Sequence, residues 1–131
     1  MEDLKKFKVL IVDDEENLRD ALVFDFKRKG FTVFFAENGD QAFEVVQREK
    51  IDFVLSDIRM PAGDGLGLLE RIRAADPKVP ILVFLTGFTD VTEEDCLKKG
   101  ALKVLTKPFD RKVLMNIVLD ALGVRKNDKV A

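Results

Sequence analysis

Residues 8–14 read KVLIVDD, and this stretch decides the fold of the 131-residue chain. Four apolar residues stand in a row at positions 9–12 without polar alternation, which is typical of a strand buried on both faces of a parallel sheet. Asp13 and Asp14 follow at once, where such a strand leaves the core. The stretch therefore predicts a buried strand whose carboxyl end carries two carboxylates.

Four more apolar runs follow, separated by segments with helical spacing. The runs cover residues 31–35, 52–56, 81–85 and 103–105. The first helical segment stops at Gly30, and the last covers residues 110–122. Asp90 and Glu93 are spaced as a capping box for the fourth, least apolar helix, which covers residues 90–99.

Continuous apolar strands that alternate with helices predict an α/β fold with helices on both faces of the sheet. We expect one doubly wound (βα)5 domain of the flavodoxin-like type, with a parallel five-stranded sheet in the order 2-1-3-4-5. The domain would cover residues 1–124. Residues 125–131 would form a polar tail or the start of a linker.

The composition is that of a globular protein, with 47% hydrophobic and 35% charged residues. A net charge of −2 without a basic block argues against direct nucleic acid binding. The sequence lacks an apolar run long enough to span a membrane, and its acidic start is unlike a signal peptide. Cys96 is the single cysteine, which favours a reducing cytoplasm.

The chain contains no histidine, which excludes a histidine base, a histidine metal ligand and a histidine phosphocarrier. Ser56 is the single serine, and a serine hydrolase triad would need a histidine beside it. Any chemistry must therefore come from carboxylates, lysine, threonine and a metal.

Working residues of such sheets lie at the carboxyl ends of the strands. Those ends carry Asp13 with Asp14, Asp57, Thr86 and Lys107. Three carboxylates in one crevice repel one another unless a cation joins them, and oxygen ligands suit Mg²⁺. Each residue alone could be a helix cap, a turn residue or a solvated loop residue, but their joint placement favours a site.

These residues lie in blocks that resemble the motifs of bacterial two-component response-regulator receiver domains. The blocks are residues 9–15 (VLIVDDE), 56–61 (SDIRMP), 64–65 (DG), 86–87 (TG) and 106–109 (TKPF). The likeness extends over residues 8–122. It implies a phosphorylation-dependent signalling switch that is not an enzyme in the usual sense and supports only its own phosphotransfer and autodephosphorylation.

The resemblance implies Asp57 as the phosphoacceptor. It also implies a Mg²⁺ ion bound by Asp14, by Asp57 and by the backbone carbonyl of Arg59, with Asp13 acting through a water. Thr86 would bind the phosphoryl oxygens.

Lys107 would pair with the same oxygens, and a cis peptide bond before Pro108 would aim it inward. The implied donor is a phosphohistidine on a sensor histidine kinase or a histidine phosphotransfer protein.

One position departs from the family pattern. Three residues before the lysine, receiver domains usually carry Tyr or Phe, which turns inward on activation, whereas this chain has Val104. Valine is stiff and short, so we expect either that this domain switches weakly or that another group carries the signal. Phe88, which leads into the fourth helix, is the candidate for that group, and the alternative is that Phe88 is an ordinary exposed loop aromatic.

Three other functions compete with this interpretation. A haloacid-dehalogenase-like phosphatase would need an Asp two residues after the nucleophile, where this chain has Arg59. A flavodoxin-like electron carrier would need a phosphate loop after the first strand, where four acidic residues would repel phosphate. A receiver-like docking module that signals without phosphorylation would share the fold.

The last helix has a wide apolar arc. Its core positions are Leu114, Ile117, Val118 and Ala121, and Val113, Met115, Leu119 and Leu122 extend the arc. We expect either deep packing of this helix or a docking edge for a second copy or an effector domain.

Overall fold

The computed structural model describes residues 4–61, 63–87 and 91–124, and in this part of the chain five strands alternate with five α-helices. The strands are β1 (Lys8–Val12), β2 (Thr32–Ala36), β3 (Phe53–Asp57), β4 (Ile81–Thr86) and β5 (Lys103–Thr106). The helices are α1 (Glu16–Lys29), α2 (Gly39–Arg48), α3 (Gly65–Ala75), α4 (Glu93–Lys98) and α5 (Arg111–Ala121). Phe88, Asp90 and the predicted tail at residues 125–131 lie outside the described residues.

The five strands form one parallel sheet in the order β2-β1-β3-β4-β5, as predicted. β3 is buried along its whole length, which explains the apolar run Phe53–Leu55 at its start. Val12 of β1 lies opposite Ser56 of β3, so the next residues of the two strands, Asp13 and Asp57, lie at the same level of the sheet.

Alternate residues of each strand contribute to two cores, one on each face of the sheet. Leu10 and Val54 face the core that α2, α3 and Cys96 of α4 cover. Ile11 and Leu55 face the core under α1 and α5. No described helix has the length and apolarity that crossing a membrane requires.

The start of α4 differs from the prediction. Its N-cap is Thr92, whose hydroxyl accepts a hydrogen bond from the Asp95 N–H at 3.1 Å. The observed N-cap is therefore Thr92, and Asp90, the residue predicted to form a capping box with Glu93, lies outside the described residues. The Glu93 carboxylate instead accepts a hydrogen bond from the Val104 N–H at 3.4 Å.

Most of the apolar arc of α5 is packed against the core, which was one of the two alternatives. Leu119, which we expected on the outer arc, is buried with Leu114 and Val118. Met115 and Leu122 are half-buried against the same core, and Val113 is exposed. Most of the wide apolar arc therefore serves deep packing.

Candidate functional site

The parallel register brings the predicted site residues to one edge of the sheet. Asp13 follows β1 and Asp57 ends the neighbouring β3. Thr86 ends β4, and its carbonyl oxygen accepts a hydrogen bond from the Lys107 N–H at 2.7 Å. Asp13, Asp57 and Thr86 are all buried, which is uncommon for polar residues without a role in a site or a network.

Lys107 joins two of the three aspartates. Its Nζ lies 3.1 Å from an Asp13 carboxylate oxygen and 3.1 Å from an Asp57 carboxylate oxygen. The Glu15 carboxylate is 3.5 Å from the same Nζ. The peptide bond between Lys107 and Pro108 is cis, as the family resemblance implied, and the lysine side chain points into the site.

Asp13, Asp14 and Asp57 form a cluster in which one carboxylate oxygen of each lies within 4.8 Å of the others. Asp14 is exposed at the mouth of the cluster, while the other two are buried. Three converging carboxylates with an open side provide hard oxygen donors and leave room for waters, and this set fits Mg²⁺. The predicted alternative that the Asp13-Asp14 pair caps α1 is not seen, since Glu15 is the N-cap residue and its side chain makes no capping hydrogen bond.

The electrostatics of the cluster follow from burial and from the lysine. Burial raises the pKa of Asp13 above its ordinary value of 3.8, although hydrogen bonds from the Glu15 backbone and from Lys107 oppose the shift. Burial alone would lower the pKa of Lys107, but its ion pairs with Asp13 and Asp57 outweigh burial and raise that pKa from 10.5. Lys107 is therefore charged at neutral pH.

The backbone around Asp57 is tightly held. The Ile58 N–H donates to one Asp57 carboxylate oxygen at 2.7 Å, and the Gly65 N–H donates to the Ile58 carbonyl at 2.7 Å. A Cβ at position 65 would overlap the Asp57 carbonyl oxygen. The close approach of α3 to this backbone therefore requires glycine at position 65. Arg59 lies half-buried in the loop between these two elements.

Two residues that contact the site, Glu15 and Arg19, were not identified as site residues from the sequence. Glu15 contacts Lys107, although its exposed position in a run of four acids did not single it out. Arg19 is buried beside Asp13 and donates to its carbonyl oxygen. The signal for Arg19 was its helical spacing, because it shares the buried face of α1 with Leu22 and Phe26.

Comparisons with known proteins agree with this geometry. Residues 9–119 match the model of the response regulator receiver domain. Sporulation initiation phosphotransferase F of Bacillus subtilis is 34% identical over 92% of this chain and 97% of its own length. Regulatory protein AtoC of Escherichia coli is 37% identical over 93% of this chain, which spans 26% of AtoC.

Solved structures show the same likeness. The CheX-CheY-BeF3-Mg+2 complex from Borrelia burgdorferi contains a chain that matches with a TM-score of 0.81 and 31% identity, over 88% of this chain and 89% of that one. A two-component response regulator from Clostridium difficile matches with a TM-score of 0.82 and 26% identity, over 88% of this chain and 95% of that one.

Proposed function

This chain belongs to the family of response regulator receiver domains, which signal through phosphorylation, and on that premise we propose that it accepts a phosphoryl group on Asp57. The observation that carries the proposal is the placement of Asp57 within 4.8 Å of two further carboxylates and 3.1 Å from the Lys107 ammonium. Phosphoryl transfer depends mostly on positioning and charge, and this arrangement supplies both.

The acidic cluster would hold Mg²⁺. Asp14 and Asp57 would be direct ligands with the backbone carbonyl of Arg59, and Asp13 would bind through a water. When bound, Mg²⁺ supplies positive charge that balances the carboxylates and the phosphoryl oxygens. The exposure of Asp14 supports its role as the direct ligand, while the buried Asp13 already accepts hydrogen bonds from Lys107 and from the Glu15 backbone.

In the proposed transfer, a carboxylate oxygen of Asp57 attacks phosphorus and forms the new O–P bond. The N–P bond of the donor phosphohistidine breaks, and its electron pair returns to the imidazole. Lys107, whose ammonium already lies 3.1 Å from Asp57, would pair with the transferred oxygens, and Thr86 would donate its hydroxyl to one of them. Hydrolysis of the same aspartyl phosphate would be the domain's autodephosphorylation.

The donor would be a sensor histidine kinase or a histidine phosphotransfer protein, because this chain has no histidine of its own. We place the exchange in the cytoplasm, which suits the single buried Cys96. We propose residues 1–124 as the receiver domain and residues 125–131 as a polar tail or the start of a linker. The output partner would be an effector domain, such as much longer relatives like AtoC have room for, or a second copy bound through α5.

The test is phosphorylation with a small donor. Purified protein is incubated with acetyl phosphate, with Mg²⁺ or with EDTA, and intact mass is recorded for the wild type and for Asp57→Asn. We expect one phosphoryl group on the wild type when Mg²⁺ is present and none when EDTA is present. We expect none on Asp57→Asn under either condition. Equal labelling of both proteins would refute Asp57 as the acceptor, and a wild type that binds Mg²⁺ without ever being labelled would favour the docking module.

A further inference from the structure

Arg19 is a buried arginine beside the acidic cluster, with 7% of its surface exposed. It lies in the first turn of α1, and its Nη1 donates a hydrogen bond to the Asp13 carbonyl oxygen at 3.2 Å. Its guanidinium carbon lies 5.2 Å from the centroid of the Phe35 ring. Arg19 also lines a surface pocket together with Asp14. The guanidinium is thus held between an aromatic ring and the backbone of the site.

The burial of Arg19 carries an energetic cost. The Nε atom of Arg19 is buried and has no hydrogen-bond partner among the described residues, and the Asp20 carboxylate is 4.0 Å from it. A buried donor without an acceptor costs free energy, and burial of the charge costs more. Leu22 and Phe26 fill the same face of α1 with apolar side chains and avoid that cost.

The carbonyl that Arg19 binds belongs to the peptide group between Asp13 and Asp14. The other polar groups of Asp13 have partners: its N–H donates to the Ala36 carbonyl at 3.2 Å, and one carboxylate oxygen accepts from the Glu15 N–H at 2.8 Å. Since the two carboxylates extend from either side of this peptide, its orientation decides whether both face one cavity.

We propose that Arg19 is a positioning residue for the metal site, which holds the peptide between Asp13 and Asp14 so that both carboxylates converge on one ion. The inference rests on the proposed function for the presence of Mg²⁺. Groups that orient metal ligands without touching the metal typically change metal affinity by roughly 10- to 100-fold when they are removed.

The test compares Mg²⁺ affinity with the stability of the metal-free protein. Affinity is measured by isothermal titration calorimetry, because the chain has no Trp or Tyr to report binding by fluorescence. Arg19→Met should bind Mg²⁺ about 10-fold more weakly. In EDTA it should resist urea as well as the wild type or better, because it removes a buried, unsatisfied donor. Arg19→Lys should also bind more weakly, because an ammonium lacks the planar fork.

The matched control is Arg28→Met, which removes an exposed arginine from the far end of α1 and should leave affinity unchanged. A purely electrostatic Arg19 would give the opposite result, with tighter binding in Arg19→Met and no change in Arg19→Lys, and would overturn the proposal. Lower stability with unchanged affinity would make Arg19 a packing residue and overturn it too. If the wild type itself binds no Mg²⁺, both the proposed function and the inference about Arg19 fail. If the wild type binds Mg²⁺ and Arg19→Met binds it equally well, only the inference about Arg19 fails.

Discussion

Replacing Lys107 by methionine removes the ammonium that neutralises the acidic cluster and keeps most of the side chain's volume. The Nζ lies 3.1 Å from both Asp13 and Asp57. At an effective dielectric constant of about 20, each contact corresponds to an attraction of roughly 5 kcal/mol before desolvation is subtracted. Without the ammonium, each pair of carboxylate oxygens in the cluster, within 4.8 Å of each other, repels by at least roughly 3.5 kcal/mol at the same dielectric constant before solvent screening is subtracted.

Desolvation of the ammonium cancels much of this attraction, so we expect Lys107→Met to lose about 2–4 kcal/mol of unfolding free energy in EDTA. The measurement is urea unfolding at neutral pH, followed by far-UV circular dichroism. Lys103→Met is the control, because Lys103 is exposed on the neighbouring β5 and forms no part of the cluster.

Mg²⁺ should restore much of this loss, because it supplies the missing positive charge to the same carboxylates. An ion present at 100 times its dissociation constant stabilises a fold by about 2.7 kcal/mol, and an ion that binds more tightly at the same concentration stabilises it by more. The increase in stability on adding Mg²⁺ should therefore be larger for Lys107→Met than for the wild type. Equal stability of Lys107→Met and Lys103→Met in EDTA, or a larger Mg²⁺ effect on the wild type, would refute this reasoning.

Three further predictions concern the same edge of the sheet. Mg²⁺ affinity in calorimetry should fall more for Asp14→Ala than for Asp13→Ala, because the first removes a direct ligand; the reverse order would mean that the two roles are exchanged. The pKa of Asp13 is raised in the fold, so the folded protein holds this proton more tightly than the unfolded chain does. The stability of the metal-free wild type relative to Asp13→Asn should therefore fall as the pH rises from 3.8 toward the raised pKa, and a relative stability that increases over that range would contradict the shift. Gly65→Ala should cost about 1–3 kcal/mol in urea unfolding, because the new Cβ overlaps the Asp57 carbonyl oxygen. Gly67→Ala, whose Cβ would meet its nearest neighbour at 3.5 Å, is the control, and an equal loss in both variants would argue against a steric cause.

The sheet order and the convergence of the strand ends could be predicted because both follow from the sequence pattern. Continuous apolar runs are required by a sheet covered on both faces, and the parallel register then places Asp13, Asp57 and Lys107 at one edge. Arg19 could not be assigned in this way. Its role depends on a hydrogen bond to the Asp13 carbonyl oxygen, and the direction of a carbonyl is a property of the folded loop.

The remaining differences come from side chains that compete for the same local role. Thr92 caps α4 because its hydroxyl reaches the Asp95 N–H, and the sequence offered Asp90 as an equally suitable cap. Leu119 is buried because α5 presents a wider face to its core than one helical stripe. Helical spacing alone does not reveal how deep a groove the neighbouring elements form.

The central claim is that Asp57 takes the phosphoryl group, and direct identification of the modified residue tests it best. After incubation with acetyl phosphate and Mg²⁺, borohydride reduces an aspartyl phosphate to homoserine, and peptide mass spectrometry then locates the reduced residue. We predict homoserine at position 57 and at no other aspartate of the cluster. Homoserine at position 13 or 14 with an intact Asp57 would contradict the account.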